Sequence, residues 1–199
     1  MLKTITRELK HHVPFTLVGT FTGSMIMLLF VYVPSLKAVS EPLFWGLHPM
    51  HVLLSAVVTA GMYRLHSKGR LLPTIVIGYL GSIGIATISD SLIPYVTEWM
   101  LGLPHLHAHV GFIEKWWLVN PLAVAGILIA YFHPTTRFPH AGHVLLSTWA
   151  SLFHMTMAMG EQVDAQTMLL LPVFLFIAVW VPCCTSDIVF PLLFTRRKD

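Results

Sequence analysis

Charge is what this chain has least of. Asp, Glu, Lys and Arg together make up 11% of its 199 residues, where a soluble domain of similar length carries roughly 25%. That deficit excludes an ordinary soluble fold. With 55% apolar residues and a mean hydropathy of +0.73, the chain is expected to cross a bilayer several times. Cysteine is nearly absent. Only Cys183 and Cys184 occur, side by side, and adjacent thiols rarely pair with each other, so no disulfide framework is implied. The GxSxG, Walker A, HExxH and dinucleotide fingerprints are all missing, and the chemistries they signal go with them. The net charge of +3 implies no nucleic-acid partner, because the basic residues lie beside membrane-length apolar runs. The first of those runs lacks an obvious small-residue cleavage site and reads as an anchor.

Six stretches approach the ~20 apolar residues that a spanning helix needs. They cover about 14–33, 43–63, 71–99, 116–132, 140–159 and 168–194. Pro172, Pro182 and Pro191 interrupt the last, and proline in a spanning helix implies a kink with freed carbonyls. Lys3, Arg7, Lys10, Arg64, Lys68, Arg70, Arg137, Arg196, Arg197 and Lys198 all fall on one side of this arrangement. Only Lys37 and Lys115 fall on the other. The excess of basic residues predicts that both termini are cytoplasmic.

The sequence also repeats itself. His48-Pro49-Met50-His51-Val52-Leu53-Leu54-Ser55 returns as His140-Ala141-Gly142-His143-Val144-Leu145-Leu146-Ser147. Ser89-Asp90-Ser91-Leu92-Ile93-Pro94 returns as Ser186-Asp187-Ile188-Val189-Phe190-Pro191. Two elements in the same order at nearly the same offset indicate an internal duplication. Each copy holds three helices, an odd number, so the second is inserted upside down. The expected fold is an all-α membrane protein of six transmembrane helices, built as two inverted-topology three-helix repeats. These are residues 1–99 and 116–199, with an outer histidine-containing loop at 100–115 between them. Inverted repeats of this kind are a frequent ground plan of transporters, with sites at the repeat interface.

The duplicated polar residues are the candidate chemistry. His48 and His51 share a helix face. Counting residues from the hairpin near Gly69 places His51 and Asp90 at almost the same depth, in the outer half of the membrane. The same counting predicts a second set, His140, His143 and Asp187, in the cytoplasmic half. Asp90 and Asp187 lie well inside expected spans, where an ionisable group costs at least ~2.5–3.5 kcal/mol and needs a partner. Two neutral imidazoles and a carboxylate suit zinc and other first-row divalent ions. The bland alternative is an Asp–His pair that merely ties helices together.

Softer ligands lie nearby. His105, His107 and His109 alternate in the outer loop, and His154 and Met157 close the fifth apolar stretch. Cys183 and Cys184 precede Asp187 by about one helical turn. Met with His suits copper, although methionines in a membrane protein mostly serve packing. The expected function is a transporter or channel for a transition-metal ion, zinc-type or copper, set in the lipid bilayer as a homo-oligomer or part of a larger membrane complex. The alternatives are a membrane metalloenzyme, with Glu98 the only spare acid beside the first set, and a haem- or copper-binding subunit.

Overall fold

The computed structural model describes residues 2–67, 70–135, 137–160, 163–185 and 189–195, and the backbone alone for 2–9, 11–12, 137–140 and 184. His140, Cys184 and Asp187 are thus sequence candidates whose side chains lie outside the described residues. Among the described residues all regular structure is helical. α1 (Leu2–Tyr32) leads through a 3-10 turn (Pro34–Val39) into α2 (Ser40–His66). α3 (Leu71–Thr87), a π turn (Ile88–Leu92) and α4 (Ile93–Met100) form one nearly continuous rod. After the loop come α5 (Gly111–Glu114), α6 (Trp116–Phe132), α7 (Arg137–Ala158), α8 (Ala165–Cys184) and the short α9 (Phe190–Leu193).

Among the described residues four segments are long and apolar enough to cross a membrane: Val13–Tyr32, Pro34–His66, Leu71–Met100 and Ala165–Cys183. α6, at 17 residues, stands at the lower limit of spanning length. α7 is longer, at 22 residues, but interrupts its apolar run with His143, Ser147, Ser151 and His154. The third apolar stretch spans Leu71–Met100 with the π turn inside it, and of the sixth the described parts are α8, to Cys184, and α9, which holds Pro191.

α2 is the axis of the molecule, packing on α7, α6 and α3, while α1 lies against α7 and α8. Small residues permit the close crossings. A side chain at Gly78 would run into Ile127 and Ala60, so α3, α6 and α2 can approach only because that position is bare. Burial is distributed as a membrane protein requires. Phe15, Leu17, Val18, Phe21, Leu72, Leu80, Phe132 and Leu169 are exposed, while Ser55, Thr59, Ser82, Ser89, Asp90, Ser147 and Ser151 are fully buried. A large exposed apolar surface marks contact with an apolar medium. The polar interior is where the chemistry sits.

Candidate metal centre

On α2, His48, His51, Ser55 and Thr59 recur at spacings of three and four and form one buried polar stripe. On α7, His143, Ser147, Ser151 and His154 make a second. The two helices pack together, and the π turn meets α7 from α3–α4. A π turn widens the helix by one residue and leaves a carbonyl off the regular ladder. The Ser89 carbonyl accepts the Ser151 hydroxyl at 2.9 Å. The turn therefore locks into α7 and presents Asp90 to both stripes.

Asp90 is fully buried and saturated. One carboxylate oxygen accepts His48 Nδ1–H at 3.0 Å and His51 Nδ1–H at 2.7 Å. The other accepts the Ser89 and Ser147 hydroxyls, each at 2.7 Å. A carboxylate offers about four lone-pair sites, and all are used. Hydrogen bonds to a charged group contribute about 1.5–3 kcal/mol each, so two suffice to offset the membrane cost of the charge.

The first expected set, His48, His51 and Asp90, meets at hydrogen-bond distances, with the carboxylate behind the imidazoles. His48 is enclosed as well. A Cβ at Gly111 would collide with its Nε2, and Phe44 stacks on its ring at 5.3 Å and 15°. His51 is different. Its Nδ1 is committed to Asp90, which leaves Nε2 unprotonated in the neutral ring, and that buried nitrogen has no hydrogen-bond partner among the described residues. Its ring lies against His143, centroids 5.7 Å apart and tilted 14°. His51, His143 and Cys183 each offer a ligand atom within 4.8 Å of the others, all three buried. Ser147 joins this group to the carboxylate, accepting the Cys183 thiol at 3.6 Å while donating to Asp90. Imidazole with a carboxylate behind it is the usual way a protein fixes a metal-binding histidine. His, His and Cys is a donor set for zinc or copper.

Of the second expected set, His140 and Asp187 lie outside the described residues, while His143 is brought to His51 of the first set, with Cys183 as third donor.

Towards the 100–115 loop lies a second polar group. Glu98 and His154, both buried, pair at 2.7 Å through Nδ1, leaving the other Glu98 oxygen without a hydrogen-bond partner. His109 donates its backbone N–H to His154 Nε2 at 3.4 Å, and its Nδ1 lies 3.2 Å from Glu114. Burial holds the His109 pKa below the ordinary imidazole value, against the Glu114 contact, which raises it. His107 rests on His109 with centroids 4.3 Å apart. His105 is exposed, its backbone N–H donating to Ala158, and Met157 packs in the cluster of Phe30, Phe44 and Phe153. Neither joins a ligand group among the described residues. Glu98 partners His154 and not the first set. That pair was readable only as two residues at the outer ends of the third and fifth apolar stretches. No protein-family model, curated protein or solved structure matches this chain.

Proposed function

We propose that the protein carries a transition-metal ion of the zinc or copper class across a membrane, through a central site made by His51, His143 and Cys183. The observation that carries this reading is the buried, unpartnered Nε2 of His51, aimed into a group with His143 and Cys183 while Asp90 holds the ring from behind. An isolated buried acceptor costs about 1–3 kcal/mol, and a bound cation satisfies it. In this reading the chain spans the membrane six times, with α6 and α7 completing the four longer spans. The duplicated halves are related by an axis in the membrane plane. His51 and His143 are corresponding residues of the two copies, and their nearly parallel pairing fits residues meeting at such an axis.

The chemistry follows from the donors. Asp90 fixes the His51 tautomer, holding the proton of the neutral ring on Nδ1 and turning Nε2 towards the ion as the acceptor. Cys183 supplies a thiolate once its proton leaves, which ties ion binding to proton release. All three donors are closed off from solvent, so transport would require the packing of α2, α7 and α8 to open alternately to the two sides.

Flux of zinc or copper(I) into proteoliposomes tests the proposal. Wild type should exceed empty liposomes, and Cys183→Ser and His143→Ala should lose most of that flux. Wild-type flux no greater than that of empty liposomes would overturn transport. The tight enclosure of the donors favours one second reading, a subunit that holds its ion for a larger complex. It predicts no flux but one metal retained by wild type and missing from Cys183→Ser.

A further inference from the structure

The loop between α4 and α5 holds a second set of donors that the central site does not use. The geometry points to a surface metal site formed by His107, His109 and Glu114, of the zinc class, where an ion is captured before it enters the protein. The three side chains each offer a ligand atom within 4.8 Å of the others. They are solvent-accessible, Glu114 at 32% and His109 at 17%, with His107 more exposed than His109. Two imidazoles and one carboxylate leave a fourth position open to water, the pattern of exchangeable zinc sites.

Three contacts hold the set in place. Ser91 donates to the His109 carbonyl at 2.5 Å, and the His109 N–H reaches His154. Val110 N–H donates to Glu114 at 2.7 Å, which fixes the carboxylate beside His109. The loop is thus tied by His109 to both the π turn that carries Asp90 and the stripe on α7. Its inner wall continues towards the centre, since the His109 ring lies 5.3 Å from His154 and 5.7 Å from Phe44, which in turn stacks on His48. Only the role as an entrance rests on the transport reading. Binding at the loop stands or falls by itself.

The test uses full-length protein in nanodiscs, equilibrated with zinc and then mixed with excess EDTA. Wild type should hold one rapidly removed ion and one slowly removed ion. His107→Ala/His109→Ala should lose the rapid component and keep the slow one. Glu114→Gln keeps an oxygen for Val110 N–H but removes the ligand charge, so it should weaken rapid-site affinity by at least about 10–100-fold, the range already seen when groups that only support a ligand are altered. His105→Ala, in the same loop but outside the cluster, should behave as wild type. Cys183→Ser/His143→Ala should lose only the slow ion, which separates failure of the central site from failure of this one. The proposal is overturned if the rapid component persists at wild-type affinity in both His107→Ala/His109→Ala and Glu114→Gln. It is equally overturned if the rapid component disappears only with Cys183→Ser/His143→Ala.

Discussion

At the scale of single residues, Asp90 decides most. Sequence alone offered it as a ligand, and replacing it by Asn would then remove metal while sparing the fold. The four hydrogen bonds change that expectation. Asn keeps one oxygen and turns an N–H towards groups that are themselves donors, so Asp90→Asn breaks a buried charge network. The expected cost is about 3–5 kcal/mol, seen as a large drop in melting temperature without added metal. An unchanged melting temperature would mean that the carboxylate is not the organiser described here. Ser147→Ala removes one charge-assisted bond and should cost about 1.5–3 kcal/mol by the same measurement. Ser147 stood in plain view as the last residue of the second repeat copy. Its role was not legible, because only the crossing of α7 over the π turn brings it to Asp90.

Two elements make separate statements. Gly111 opens α5 directly over the His48 ring, so Gly111→Ala overpacks that contact and should cost about 1–3 kcal/mol. A variant as stable as wild type would show that α5 can shift freely. Asp164 caps α8, its carboxylate accepting the Thr167 N–H at 2.7 Å and the Thr167 hydroxyl at 3.0 Å. Those bonds hold its pKa below the ordinary aspartate value. The folded value being the lower one, the stabilisation is complete above the ordinary carboxylate range and is lost as pH falls through the folded value. Asp164→Asn caps without titrating, so its melting temperature should fall less on acidification than that of wild type. Identical acid limbs in the two proteins would count against the cap. The stripes of α2 and α7 were legible as spacing, and the repeated HxxHVLLS pattern rightly singled out both. What spacing could not supply was their relative rotation, which depends on how closely α2 and α7 pack, as where Gly142 of α7 meets Leu54 of α2.

At the scale of the whole molecule, the helical, membrane-compatible character was plain from composition, because nothing but a lipid-facing surface accommodates so few charges. The pairing of the two copies was only half legible. The repeated sequence pattern singled out His51 and His143, and the packing of α2 on α7 brings their rings together. The basic residues still make a prediction about orientation. A cysteine at Ser67 should be shielded from a membrane-impermeant reagent in intact cells, and one at His105 should react. The reverse pattern would place the histidine loop on the cytoplasmic side.

The π turn also sets the rotational register of the rod that carries it. An extra residue in a regular helix rotates everything beyond it by about 100°, which would carry Glu98 away from His154. Absorbed as a wide turn, the same residue leaves α4 aligned and pushes a single carbonyl sideways to Ser151. The wide turn thus lets a single rod hold Asp90 to α2 and Glu98 to His154 at the same time, a register that a plain α-helix over the same residues would break.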